Sequence, residues 1–400
     1  SSPSKQVLKV ASSRKITEMK TIILLALYVT SVVGQEMVAT KAQNESSPSK
    51  PVIDTRYLGD FGPYSDPLDP RRPKPSQYLT EDQLGQFGCK QISQWINRNM
   101  SRIWQASSGE DSQSPPFIMS PRRLETLKAD MKTVISSMDS ANVSSKSGVM
   151  MMPRNYDARY MYPYCPTLQR TEDQGCSCKA SWAIAPASAL SDRFCISSKG
   201  KHVLDLSAQR IISCCSYCYK GHPCDEGSSM WAWVFLRHSG TVTGGPYRST
   251  KGCQNYKIEP CSFGKPNYSR QIPPCEKSCD LPYYTPTIYG TMKSYAHKKT
   301  TTYAIEKDIL VNGPVTADMK IYEDFYCYRG GIYSHVVGDL ISIQTVKIIG
   351  WGEENGVKYW LATNFWGERW GERGFFKIVK GRNECDIESL VLAGHPYQYY

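Results

Sequence analysis

Residues 173–185 read DQGCSCKASWAIA, which sets a carboxamide, two thiols and two hydroxyls just ahead of an apolar run with helical character. A nucleophile at a helix start gains from the positive end of the helix dipole, and a thiol attacks only as its thiolate. The residue directly before Trp182 is Ser181, whose hydroxyl needs a general base before it can attack anything. Cys176 lies outside the helix start and lacks a base. A second stretch, CCSYCYKGHPC, groups Cys214, Cys215, Cys218, His222 and Cys224, a set that reads either as zinc ligands or as disulfide partners.

The redox compartment bears on that choice. Met19 and Lys20 precede the apolar run IILLALYV and then TSVVG, ending at Gly34, in the charged, apolar, small-residue order of a secretory signal peptide. Residues 1–18, upstream of that start, do not share the pattern, and the run is too short to span a bilayer. An oxidising route favours disulfides over zinc for the 15 cysteines, of which all but Cys89 lie between positions 165 and 385. No metal and no cofactor are therefore expected. Glycosylation sequons at Asn44, Asn99, Asn142 and Asn267 suit the same route. The formal charge is +11, but from Met152 onward 29 Lys and Arg face 23 Asp and Glu without a long single-sign run, which argues against nucleic acid as a partner.

The elements that must position these residues fall mostly after Met152. Residues 35–151 are polar and Pro/Ser-rich, with short helical candidates at GCKQISQWINRNM and RRLETLKADMKTVISSM. Beyond them, WAIAPASALSDRFCI, LSAQRIISC and MWAWVFLRHSG read as helices, residues 252–286 as loop, and EKDILVNG as a last helix. The segments VTADMKIY, TVKIIGWG, KYWLATN and GFFKIVKG have strand lengths and lie between glycines. Helices followed by strands imply an α+β protein of two packed halves.

Taken with NYDARYMYPYCPTLQRTEDQG, SDRFCI, SCCSYC, GIYSHVVGD and IIGWGEENGVKYWLATNFWGERWGERGFFKIVKGRNECDIES, these segments resemble the papain family of cysteine proteases, its cathepsin B branch in particular. INRNMSRIWQA is similar to a propeptide segment of that branch. The resemblance implies a papain-like two-lobed α+β fold, with a helical left half, a β-barrel-like right half and a cleft between them. The domains it implies are residues 1–34 as upstream segment and signal peptide, 35–151 as pro-region and 152–400 as the peptidase-like domain.

The resemblance also assigns roles, and here the chain departs from it. The family's nucleophilic cysteine falls on Ser181, its histidine on Gln344, its orienting asparagine on Asn364 and its oxyanion glutamine on Gln174. A glutamine amide cannot accept a proton at any useful pH. His335 matches a histidine the family already carries beside the catalytic one, so a packed or surface role is expected for it. One extra residue separates Gln174 from Ser181, which implies misplacement of the oxyanion donor. Pro186 lacks the N–H that would bond to the Trp182 carbonyl and is expected to bend or loosen the helix. In the cleft, the family's Cys-Asn-Gly-Gly becomes Cys224-Asp225-Glu226-Gly227, Trp366 and Trp370 keep an aromatic frame, and an acidic specificity residue falls on Leu390. The histidine pair of the family's occluding loop is absent after Cys261, which reads Ser262, Phe263 and Gly264.

By position the resemblance pairs Cys165 with Cys195, Cys178 with Cys224, Cys214 with Cys275, Cys215 with Cys218, and Cys253 with Cys279. Cys176, Cys261, Cys327 and Cys385 remain open, as two further bridges or as free thiols. The expectation is a monomeric, secreted or lysosomal cathepsin B-like protein without peptidase activity. It would bind peptides, protease inhibitors or extracellular proteins. The alternatives are an endopeptidase using Ser181 with an unrecognised base, and a degenerate copy.

Overall fold

The computed structural model describes residues 89–99, 103–107, 151–225, 227–260, 271–298 and 301–398. The signal-peptide reading, the helix expected over 122–138, Glu226, Cys261 and the altered loop after it lie outside these residues.

Helix α1 (Cys89–Asn99) sets Ile92 and Ile96 one helical turn apart on its buried side. The short strand β1 (Trp104–Ala106) follows, then β2 (Tyr156–Asp157) and α2 (Ala158–Met161). Asp157 caps α2 by accepting the Arg159 N–H, and its carboxylate also holds the buried Arg159 guanidinium at 2.7 Å. The central helix α3 (Ser181–Ser197) alternates alanines with larger residues and is buried along nearly its whole length. A helix apolar or small over most of its surface belongs in an interior, and α3 lies there, with Asp192 and Arg193 buried as ion pairs. It runs unbroken through Pro186, so the expected disruption is confined to one missing hydrogen bond within a helix gripped on all sides.

Two serines start the next helices. Ser207 caps α4 (Ala208–Cys214) and Ser228 caps α5 (Ser229–His238), each accepting a backbone N–H three residues on. With α3 they enclose one core that includes Trp182, Ile211, Trp233, Phe235 and Leu236. Strand β3 (Tyr289–Lys298) precedes α6 (Thr302–Asn312), which ends at Gly313 with φ of 102°, a conformation that favours glycine. After β4 (Val315–Tyr322) come the short α7 (Glu323–Tyr326), β5 (Tyr328–Tyr333), β6 (Leu340–Glu354), β7 (Val357–Thr363), β8 (Phe375–Val379) and β9 (Leu390–Gln398).

The sheet order is β1-β5-β8-β7-β6-β4-β9-β3, with β2 added to β6. Among the described strands only β5 and β8 pair in parallel. Among the described residues the path has two ends, so the half expected to be barrel-like is an open sheet. Its face carries the second core, including Tyr333, Phe325, Trp360 and Phe376. Two cores, one helical and one under the sheet, give the two halves of an α+β molecule. Arg193 ties them: from α3, fully buried, its guanidinium donates to the carbonyls of Gly313, Pro314 and Gly394 and to Asp308. Four partners compensate a buried charge that would otherwise be costly.

The disulfides pin these elements. Cys165 joins Cys195, Cys178 joins Cys224, Cys214 joins Cys275, Cys215 joins Cys218 and Cys253 joins Cys279. Of the cysteines left open, Cys327 is bonded to Cys89, Cys176 is also disulfide-bonded, and Cys385 keeps its thiol. The Cys214, Cys215, Cys218 and Cys224 sulfurs are thus spent in bridges, and His222 Nδ1 accepts the Cys224 N–H at 3.1 Å. Among the described residues no group of three or more His, Cys, Asp or Glu is placed to hold a metal ion, and no helix is long and apolar enough to cross a membrane.

Candidate functional site

Ser181 is the first residue of α3 and only 3% exposed. The helix has no side-chain cap on Ala180, so its leading N–H groups need partners from elsewhere. Gln174 supplies one: its Oε1 accepts the Ser181 N–H at 3.1 Å. The backbone of Gln174 is fixed at both ends, its N–H donating to Phe365 O at 2.9 Å and its carbonyl accepting the Tyr256 hydroxyl at 2.9 Å. The extra residue between Gln174 and Ser181 therefore does not separate them. Between them the chain turns at Gly175, whose φ is 84° and whose Cα faces the Glu259 carbonyl too closely for a Cβ.

Strands β6 and β7 deliver the other two side chains from across the molecule. Gln344, 3% exposed, donates from Nε2 to Asn364 Oδ1 at 3.1 Å and to Gln174 Oε1 at 3.4 Å. Asn364 Oδ1 also accepts the Phe365 N–H at 2.8 Å, while Asn364 Nδ2 is buried without a partner. The four residues mapped on catalytic positions thus form one contiguous cluster, and it is a cluster of neutral amides around a hydroxyl. Ser181 Oγ accepts the Thr345 backbone N–H at 3.1 Å. No imidazole enters this set. His335 is engaged elsewhere, stacked on Tyr322 at 3.7 Å with its Nδ1 3.2 Å from Asp324 Oδ1.

The chemistry of this arrangement is restrictive. Acyl transfer needs a base to take the nucleophile's proton and free N–H donors aimed at the developing oxyanion. An amide is no base, and the Ser181 N–H is already spent on Gln174.

Ser181 opens onto a groove of about 640 Å³. Asp225 and Gly227 line one wall. A Cβ on Gly227 would lie 2.4 Å from the Trp182 ring, so this backbone runs directly over the indole. Leu340, Ile341 and Ile343, all exposed, also line the groove, together with Tyr217 and Trp231. Leu390 and Trp366 do not line this groove: Leu390 packs against the helical core, and Trp366 stacks on Tyr326 at 4.7 Å and meets Trp370 edge-on at 5.1 Å.

Asp318 was not singled out from the sequence. Its carboxylate accepts Thr345 Oγ1–H at 2.6 Å and Ser229 Oγ–H at 2.9 Å and lines the groove beside Ser181. Burial raises its carboxyl above the ordinary range, against the two hydroxyls that lower it. The available signal is a carboxylate within the strand run VTADM, on the face opposite Ala317 and Met319 by strand alternation.

A second titratable group lies further along α3. Lys347 and Asp192, both fully buried, pair at 2.7 Å, and Lys347 Nζ also donates to Ser188 Oγ at 2.8 Å. Burial raises the Asp192 carboxyl despite Lys347. Nearby, Glu172 has one carboxylate oxygen buried without a partner, and burial pushes it up to about 7, with Lys347 opposing and Asp192 reinforcing the shift.

The domain model described as papain family cysteine protease matches residues 152–395. The chain is 40% identical over 253 residues to cathepsin B-like cysteine proteinase 1 of Ostertagia ostertagi, covering 61% of this chain and 73% of that protein. It is 39% identical over 260 residues to cathepsin B-like cysteine proteinase 4 of Caenorhabditis elegans, covering 61% and 76%. Among solved structures it is similar to proCathepsin B S9 from Trypanosoma congolense, with a TM-score of 0.59 and 27% identity, over 77% of this chain and 98% of that one.

Proposed function

The chain belongs to the papain family of cysteine proteases as a cathepsin B-like member, and from that premise we propose that it does not hydrolyse peptides and instead binds peptide or protein ligands, protease inhibitors among them, in the groove beside Ser181. The observation that carries this reading is the hydrogen-bond set Ser181 N–H to Gln174 Oε1 and Gln344 Nε2 to Asn364 Oδ1, which puts an amide where a base is needed and spends the Ser181 N–H on a side chain. The groove wall of Leu340, Ile341 and Ile343 offers apolar surface to a ligand. Six disulfides among the described residues support a secreted or lysosomal route, where such bridges persist.

The test is a peptidase assay of the purified protein against a peptide library, alongside calorimetric titration with a cystatin-type inhibitor and an apolar hexapeptide. No turnover together with saturable binding is expected. Turnover that disappears on Ser181→Ala would overturn the reading in favour of a serine-dependent endopeptidase. Ser181→Cys alone is expected to stay inactive because Gln344 cannot activate the thiol; adding Gln344→His restores traces of activity.

A further inference from the structure

Two pieces of the pro-region, α1 and β1, are built into the same core as the sheet. Trp104 is 0% exposed and meets Tyr333 edge-on at 5.2 Å, with Tyr328 at 6.1 Å. Strand β1 pairs antiparallel with β5, Trp104 opposite Gly331 and Gln105 opposite Gly330. The approach is so close that a Cβ on Gly331 would lie 2.4 Å from the Ile103 carbonyl. Asn97 folds α1 onto the strand by clasping both backbone groups of Ala106, at 2.8 and 2.9 Å. The Ser107 N–H donates to the Cys327 carbonyl at 2.8 Å. Cys89, the first residue of α1, is bonded to Cys327 at the end of α7, a bridge across 238 residues of chain.

We infer that residues 89–107 are a permanent, covalently held part of the folded protein: cleavage of the chain between 108 and 150 leaves a two-chain molecule joined by Cys89–Cys327 and releases no pro-segment beyond residue 88. Such a cut is made by an external endopeptidase, consumes one water per peptide bond, and leaves a new carboxylate and a new amine; the disulfide takes no part. The segment then occupies the face of α7 and β5 throughout the protein's life, whatever happens at Ser181.

The experiment uses the full chain purified under oxidising conditions with free thiols blocked. Limited trypsin is applied, for which Arg122, Arg123 and Lys128 are sites in the connecting stretch. Under denaturing conditions without reductant, the nicked protein is expected to keep residues 89–107 attached, and to shed them on adding reductant. Nicked Cys89→Ser protein should lose the fragment under denaturing conditions without any reductant. Denaturing, non-reducing peptide mapping settles the bond even where trypsin spares the connecting stretch: the Cys89 peptide must be found joined to the Cys327 peptide. Release of the fragment from nicked wild-type protein without reductant, or recovery of Cys89 as a blocked free thiol, would overturn the inference.

Discussion

The two ends of the helix Ser181–Ser197 face the same strand and meet opposite chemistry. At its start, Ser181 and Gln344 bond to amides and a backbone N–H, none of which titrates. Two turns on, Ser188 and Asp192 meet Lys347, only three residues beyond Gln344 on that strand, and Glu172 lies within electrostatic reach. Charge is thus paired where it supports packing, while among the described residues no acid or base is bonded to Ser181 or Gln344. Retention of a fold and retention of a reaction are separable, because burial and pairing hold the first and a few proton-transfer groups hold the second.

Breaking the charged end should cost most. Asp192→Ala strands a buried Lys347 ammonium, and we expect a loss of about 3 to 5 kcal/mol in urea unfolding. Next comes Glu172. Its folded carboxyl holds a proton up to about 7, above the ordinary 4.5, so the folded state binds more protons than the unfolded one between those values. Stability therefore falls as pH rises through that window, and the raised Asp192 and Asp318 carboxyls have the same sign of effect above their own ordinary range. Glu172→Gln should flatten the decline and stabilise the protein at pH 8 by about 2 kcal/mol, allowing for the partial exposure of the residue, as read from melting temperature against pH.

The neutral end should respond less. Gln344→Ala removes the donor to Asn364 and is expected to cost about 1 kcal/mol, with no pH dependence of its own. Ser181→Ala should be smaller still, within about 1 kcal/mol, and leave any ligand binding in the groove intact; a pH-dependent loss of stability there would erase the contrast between the two ends.

Much of this architecture was legible from residue order. The alanine-rich run after Ser181 reads as a helix from the apolar and small residues on one face, and the strands around Lys347 and Trp360 read from their length and glycine boundaries. The three-residue strand Trp104–Ala106 was not legible, since its extended state comes from pairing with Gly330 and Gly331 rather than from local preference. The strand Tyr328–Tyr333 hides for a related reason: its two glycines weaken any strand pattern while permitting that close approach. The disruption expected at Pro186 came from a local rule that the packing around the helix overrides.

Residue identity alone determined that Ser181 stands directly before Trp182 and Gln344 directly before the run TVKIIGWG, and that neither an alcohol nor an amide can serve as a base. Tertiary structure decided what those groups do instead: that Gln174 turns its oxygen onto the Ser181 N–H, that Thr345 donates to the Ser181 hydroxyl from 164 residues away, and that Cys89 finds Cys327 across 238. Partners that distant leave no local trace in the chain, because the sequence specifies donors and acceptors but only the closed fold brings a particular donor within reach of a particular acceptor.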